Sequence, residues 1–520
     1  MKSSKVLLNV SLVLIWILTL VAELLTGLIV WRLDLLPEKY MLILVVLLSV
    51  VSVVLGLMIL LPRKRKKSGN LRCGAGCVLA ALMVAGCMAI SAVASDVHDT
   101  LTEVAKPTPQ SGVRMAVYIR ADDPAQSLEQ AKGYVFATME GYEVNRTAHV
   151  VSYLSSKLGE EVVPVNYSGI TQLLDALYNR EADAVILNSA YLTILHSVDG
   201  YSDFEERTKV LCEVELVEQS KPQNQPQPDD GQENQQNENT NPAVTTKPRP
   251  DDVTNTPFVV YISGSDTRSS KLTTGNSDVN ILAIVNPVSK QVLLLNTPRD
   301  YYIPNPAGNG ALDKLTHCGI YGAECSMEAL SDLYGIGIDY YAKINFAGFE
   351  TMVDAIGGVT VYSDVAFSNA GVTVSVGENY FNGSQALAFA RERKLLAGGD
   401  NDRGKNQMKI IKAVLQKVMS SSIITQYADV LDSLEGMFET SMDRTDINSL
   451  VKMQLSDMAT WKIDSFAVTG EGDSRTNYSL PGLSVYVMLP DEGLVAQASG
   501  LIDKVVAGEI LTENDLIPVS

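Results

Sequence analysis

What this 520-residue chain lacks narrows its function before any motif is read. It lacks a basic excess: 41 Lys and Arg stand against 60 Asp and Glu, a formal charge of −19, which excludes a nucleic-acid binder with a positive face. No basic helix-turn-helix pattern is present, so transcriptional control finds no support. Histidine is scarce: His98, His149, His196 and His317 are isolated, without metal-ligand spacing, and default to solvated or core roles. Of the six cysteines, Cys73, Cys77 and Cys87 fall in or beside an apolar run where zinc is implausible, and Cys212 stands alone. Cys318 and Cys325 fit either a small-loop disulfide or two buried thiols. A nucleotide loop is missing too. Gly399 to Lys405 has glycine and lysine at the right spacing, but Asn406 replaces the metal-binding Ser or Thr and no apolar strand leads in.

Apolar length, by contrast, is plentiful at the start. Val6 to Trp31, Met41 to Leu61 and roughly Gly74 to Ala94 each reach the ~20 residues that a bilayer-crossing helix needs, too long and too many for a cleaved leader. Residues 1–96 therefore read as a three-helix transmembrane anchor. Lys2, Lys5, Arg72 and the run Arg63 to Lys67 flank the same side of these spans, which predicts a cytoplasmic N-terminus and an exterior location for everything after about Asp96. Glu23, near the outer end of the first span, is expected to reach the headgroups. Ala81, Ala85 and Ala89 present a small-residue stripe suited to close helix contact in the third span. Three spans where one anchor would suffice suggest a membrane-protein partner.

Beyond the anchor, composition divides the chain again. Residues 217–255 are rich in Gln, Asn, Pro and Asp and nearly devoid of apolar side chains, so they read as a disordered linker. Before it, residues 113–216 form a small α/β accessory domain, with strands expected at Met115 to Ile119, Glu161 to Val165 and Ala182 to Asn188 and a helix at Ile170 to Arg180. Its stretch from Leu173 to Asn188 is similar to part of one lobe of extracellular solute-binding domains; a spacer or docking module is the plainer reading. After the linker, residues 256–510 alternate strands (Phe258 to Ile262, Val279 to Asn286, Gln291 to Asn296) with helices (Ser326 to Tyr334, Phe346 to Ile356, Gln407 to Met419). Gly357-Gly358 ends the second helix. The fold class is α/β, with a central mixed sheet covered by helices on both faces.

Charge clusters sit at the predicted strand edges of this last domain. Asp266 and Asp278 end or begin strands, and a carboxylate pair suits a hard divalent cation. Arg299, Arg391, Arg393 and Arg403 supply guanidinium forks that match phosphate oxygens. Arg391 and Arg393 alternate as along an extended segment, which aims both at one face. Lys314 and Gln407 join them as further polar groups. Two readings stand for Arg268: it reaches the same oxygens, or it braces Asp266. Taken singly, any of these arginines could be a surface ion pair.

Gly264-Ser265-Asp266-Thr267-Arg268, Ser277-Asp278, Pro298-Arg299-Asp300, Lys314, Val353 to Val359, Gln385 to Arg393, and Asp402-Arg403 followed by Gln407 appear in the order found in the LytR-CpsA-Psr (LCP) phosphotransferases of bacterial envelopes, which about half of the chain resembles. The resemblance implies transfer of a glycan phosphate from a polyprenyl-pyrophosphate carrier to peptidoglycan. It assigns Asp266 and Asp278 to a magnesium ion, the four arginines to the pyrophosphate, and the apolar interior to the lipid tail. Arg299 and Arg403 then stabilise the reacting phosphates, and Asp300 or Asp402 accepts the sugar hydroxyl proton. Asn276 departs from the pattern, since many relatives carry arginine before the Ser-Asp pair, and this bears on donor preference. The apolar positions Val353, Ile356, Val359, Val361, Ile410, Ile411, Val414, Leu415 and Val418 serve either as ordinary core or as tail lining. Hydrolysis of the same lipid pyrophosphate, and a non-catalytic envelope receptor, are the competing readings.

Overall fold

The computed structural model describes residues 2–33, 36–61, 66–104, 113–141, 143–196, 198–216, 250–266, 272–369, 371–420, 430, 433–434 and 436–519. Arg268, residues 63–65 of the basic run and residues 217–249 of the expected linker lie outside these. Val253, at the linker's end, is buried against Phe258, Tyr340 and Met442, so the folded domain begins a little earlier than composition suggests.

Three helices open the chain: α1 (Lys2–Leu33), α2 (Glu38–Leu60) and α3 (Lys66–Val104). Within them Val10–Leu33, Glu38–Leu60 and Asn70–Ser95 are long and apolar enough to cross a membrane. Glycines set the contacts, because a side chain at Gly56 would meet the Trp16 indole at 2.9 Å and one at Gly76 would meet Ile59 at 2.9 Å. The alanine stripe expected to pack does not: Ala81, Ala85 and Ala89 point outward, and Cys73, Gly76, Ala80 and Cys87 form the inner face of α3 instead. Glu23 is likewise buried among the helices instead of reaching outward.

The accessory domain is a five-stranded sheet of order β3-β2-β4-β1-β5, made by β1 (Val113–Arg120), β2 (Phe136–Met139), β3 (Val165–Tyr167), β4 (Ala184–Asn188) and β5 (Thr208–Leu216). Helix α4 (Val144–Leu158) covers one face and α5 (Ile170–Tyr178) the other. Ile170, Leu173, Leu174 and Leu177 recur at helical spacing and are all fully buried, which is why this segment is a helix facing the sheet. The strand expected at Glu161 to Val165 begins only at Val165; Pro164, without an N–H, stops pairing before it.

The third region holds a six-stranded mixed sheet. Its strands are β6 (Phe258–Ser265), β7 (Val279–Asn286), β8 (Gln291–Asn296), β9 (Tyr340–Asn345), β12 (Phe438–Thr440) and β13 (Lys462–Ala467), in the order β12-β9-β6-β7-β8-β13. Strands β10 (Val359–Ser363) and β11 (Gly377–Phe381) form a separate ribbon. The β7–β8 turn is held by Asn286, whose Oδ1 accepts from the Val288 and Ser289 amides at 3.1 Å each. One sheet face packs on α6 (Ala323–Tyr334) and on the later helix at Glu492–Val506. Between those two in sequence come α7 (Phe346–Ala355), α8 (Gly383–Arg391) and α9 (Asp400–Val418).

Helix α9 is wedged between two cores. Met408, Ile411 and Leu415 meet the second sheet face, while Ile410 and Val414 join Val353, Ile356, Val359, Val361, Phe381 and Phe389 under the ribbon. The apolar stripes are thus divided between these two clusters, and Val418 is exposed. Gly357 and Gly358 adopt φ of 75° and 71°, the left-handed exit expected after α7. The accessory domain does not stand apart: Ile320 and Leu480 of the third region lie in the same buried cluster as Leu173, Tyr191, Ile194 and Leu195.

Candidate functional site

Strand pairing brings the acids together. Because β6 and β7 are antiparallel neighbours with Gly264 opposite Val279, Asp266 just past one strand and Asp278 just before the other meet at one edge. The Asp278 amide donates to the Gly264 carbonyl at 2.8 Å, and a side chain at Gly264 would strike Val279 at 2.8 Å, so glycine is required there. Below the edge, the Tyr261, Ser263, Ser277 and Asn280 side chains form a buried hydrogen-bonded cluster that fixes the start of β7. Strand β8 delivers Arg299 to the same edge, where its Nη1 donates to Asp278 Oδ1 at 2.6 Å. Carboxyl-terminal strand edges are where open α/β sheets place their ligands.

Around this pair the charges interlock. Asp300 lies 3.6 Å from Arg299 Nε and 3.0 Å from Lys314 Nζ. Arg403, in the first turn of α9, holds Asp400 at 2.6 Å, and Gly404 lets the helix approach so closely that any side chain there would run into the Asn296 amide. Arg391 stacks over Phe346 at 4.6 Å. Desolvation, and then the neighbouring Asp278 carboxylate, push Asp266 above the ordinary carboxylate range against the pull of Arg391 and Arg299. Burial opposes the charge on Arg299, yet Asp278 and Asp300 outweigh it and raise its pKa; burial and the repulsion of Arg299 and Arg393 lower that of Arg403 despite Asp400.

Two expectations change in detail. Arg391 is the last residue of α8, not part of an extended run; only Glu392 and Arg393 leave the helix. The buried Glu392 carboxylate turns inward, accepting from the Leu395 amide at 2.9 Å and from Asn369, and this leaves Arg391 and Arg393 exposed on either side of it. Asp402 lies in a helix that starts earlier than expected, and it turns away from the cluster: it accepts from the Gly398 amide at 2.8 Å and pairs with Lys405 at 3.0 Å. Desolvation is outweighed by these two donors, so its pKa falls. Gln407 is buried one turn beyond Arg403. Asp400 and Phe346 were not foreseen. An acid three residues before a helical arginine was the available signal for the first; nothing local marked the second.

Cys318 and Cys325 are buried free thiols, one hydrogen-bonded to the other, with Cys325 Sγ 3.4 Å from Asn305 Oδ1. His317 is a core residue: its Nδ1 lies 2.7 Å from Asp313, which also accepts from Ser479 at 2.5 Å and Asn305 at 3.0 Å.

Among the described residues no group of three or more His, Cys, Asp or Glu could hold a metal ion. The two site carboxylates nevertheless suit magnesium or manganese, which typically take one or two carboxylates and complete their shell with water and substrate phosphate. Burial and then the neighbouring Asp278 push Asp266 up, a strain that a bound cation would relieve, and Asn276 Oδ1 is a buried oxygen in the same loop with no hydrogen-bond partner. Arg299 Nε and Thr316 Oγ1 are also buried without hydrogen-bond partners; such atoms gather where a ligand completes a site.

The family model described as the LytR_cpsA_psr family matches residues 218–492. A protein of Enterococcus faecalis named polyisoprenyl-teichoic acid–peptidoglycan teichoic acid transferase TagU is 33% identical over 224 residues, which are 43% of this chain and 74% of that protein. Its namesake in Halalkalibacterium halodurans is 32% identical over 239 residues, 45% of this chain and 75% of that one. The crystal structure of B. subtilis TagV aligns over 49% of this chain and 99% of its own at 25% identity, with a TM-score of 0.41.

Proposed function

Since the chain belongs to the LytR_cpsA_psr family, we propose that it attaches a cell-wall glycopolymer to peptidoglycan by moving a glycan phosphate from a polyprenyl-pyrophosphate carrier to a sugar hydroxyl. The observation that carries this reading is the strand edge itself, where Asp266 and Asp278 stand among Arg299, Arg391 and Arg403. Asp266 and Asp278 would hold magnesium or manganese, which when bound neutralises phosphate charge. Arg299, Arg391, Arg393 and Arg403 grip the pyrophosphate oxygens and stabilise the charge that builds on them as the bond to the lipid phosphate breaks. The acceptor oxygen bonds to the glycan-side phosphorus, and lipid monophosphate leaves with the bridging oxygen.

Of the two carboxylates considered for the acceptor proton, only Asp300 lies in the cluster. It pairs there with Arg299 and Lys314, and a loose transition state asks little of a base. The lipid tail would run along the apolar cluster under the ribbon, which begins at Phe389 and Ala390, next to Arg391. The three apolar helices would hold this domain on the exterior face of the bilayer that carries the donor.

The test is a reconstituted reaction of the full chain in detergent with a synthetic lipid-pyrophosphate oligosaccharide, magnesium and peptidoglycan fragments, read by mass. Glycan phosphate joined to the acceptor, and lost in Asp278→Ala, is the expected product. Free glycan phosphate alone would mean a hydrolase, and intact donor would sink the enzymatic reading.

A further inference from the structure

We propose that the accessory domain is a brace for the loop that carries Asp278, acting through the short helical turn at Gly319–Tyr321. That turn lies between the two. On one side Gly319 presses against the loop: a side chain there would sit 2.7 Å from the Gly275 carbonyl and 2.8 Å from the Ser277 amide. On the other side Ile320 is fully buried in the accessory core with Leu173, Ile194 and Leu195, and the Tyr321 hydroxyl lies 3.2 Å from that of Tyr191. Thr193 adds a direct touch, its methyl 3.5 Å from where a side chain on Gly275 would begin.

The accessory surface used is the telling part. Asn188 ends β4, Gly169 follows β3, and Tyr191 and Thr193 follow within one short turn, so the contact comes from the carboxyl edge of the parallel strands, the edge at which such sheets receive ligands. Here that edge receives the catalytic domain. Gly169 lies so close to the Pro481 carbonyl that a side chain on it would begin 2.7 Å from that oxygen, and Leu480 fills the accessory core. The loop is also tied by the Leu272 amide on the Gly436 carbonyl at 2.7 Å, the Lys343 ammonium on the Thr273 carbonyl at 3.1 Å, the Asn280 side chain on the Ser277 carbonyl at 3.0 Å, the Ser277 amide on Thr316 at 3.1 Å and the Asp278 amide on Gly264 at 2.8 Å. The brace therefore seats Asn276 and Asp278 from the side that the sheet does not reach, and Tyr191, Thr193 and Ile320 are positioning residues.

Hydrogen exchange on the full chain in detergent micelles tests this. Removing the whole domain would expose Ile320 and Leu480, so point variants are the better probe. Ile320→Ala should speed exchange of peptides spanning residues 272–280 by about tenfold while the interior of β7 stays protected. Tyr191→Phe, which loses only a hydroxyl, should move the same peptides less and in the same direction, and it decides the matter if Ile320→Ala does not fold. Leu154→Ala, in the accessory core on the opposite sheet face, should leave the loop unchanged. Unchanged loop exchange in Ile320→Ala, or equal acceleration in Leu154→Ala, would overturn the brace. Only the activity arm rests on the proposed function: kcat for transfer should fall in Ile320→Ala with the donor KM unmoved. A wild type without transfer would refute that function, and the exchange arm would still decide the brace.

Discussion

Arg299 is the residue whose loss has the most calculable effect. Its Nη1 lies 2.6 Å from Asp278 and its Nε 3.6 Å from Asp300, with the three side chains only 27%, 14% and 11% exposed. A hydrogen bond to a charged partner contributes about 1.5–3 kcal/mol, and the longer contact adds little. Lys314 keeps Asp300 compensated in Arg299→Ala, but Asp278 is left facing Asp266, so the expected loss is about 2 kcal/mol. For a domain of this size that lowers Tm by about 4–8 °C. Magnesium should restore part of the shift by supplying the missing charge. In the proposed reaction the same guanidinium would stabilise the developing phosphate charge, so the transfer rate should fall by about 10²–10³. Arg299→Lys keeps a point charge without the fork and should recover more stability than rate. Scanning calorimetry with and without magnesium, beside the transfer assay, measures both. A Tm shift below about 1 °C, or a rate within about threefold of wild type, would refute the account of Arg299 as clamp and strut.

Arg391→Ala removes an exposed guanidinium whose stacking on Phe346 contributes about 0.5–1 kcal/mol, so the variant should stay folded by circular dichroism while transfer disappears; retained turnover would place Arg391 outside the site. The raised pKa of Asp266 means that the folded chain holds this proton to higher pH than the unfolded chain does. Its contribution to stability is full below about pH 3.9 and is lost as pH rises through the folded value; magnesium should cancel that loss in wild type, while Asp266→Asn, with no carboxyl to titrate, should show neither the loss nor the rescue, as followed by Tm against pH. Asp402→Asn keeps an oxygen for the Gly398 amide and loses the pair with Lys405, so its rate should stay within about threefold of wild type; a fall of about 10²-fold or more would reinstate it as the base.

Strands β6, β7 and β8 were legible because each is an unbroken apolar run between turn residues, and the turn at Asn286 announced itself through a side chain that bonds its own backbone. Helices were foreseen in type but not in extent. The start of α9 was obscured because Asp400, Asn401 and Asp402 carry no apolar period, and what makes them helical is the packing of Gly404 on Asn296, a contact distant in sequence. The same holds at the site. Asp266, Asp278 and Arg299 are each adjacent to a legible strand end, so their convergence could be anticipated. Glu392 could not be read: an acid between two arginines looks like a surface residue until Asn369 and the Leu395 amide draw it inside. The apolar N-terminal helices show the limit from the other side, since small residues occur on several faces of α3 and only the partners choose Gly76 and Ala80 over the Ala81 stripe.

The sharing of Ile320 and Leu480 with the accessory core bears on how the chain is made. The accessory segment leaves the ribosome first, yet its buried cluster is incomplete until Leu480 has been synthesised. At about 5–20 residues per second that interval is on the order of tens of seconds, during which the place that Leu480 fills in the cluster stays open. The segment is therefore a late-closing part of a larger folding unit, and cutting the gene at the polar linker would strip Ile320 and Leu480 from its core.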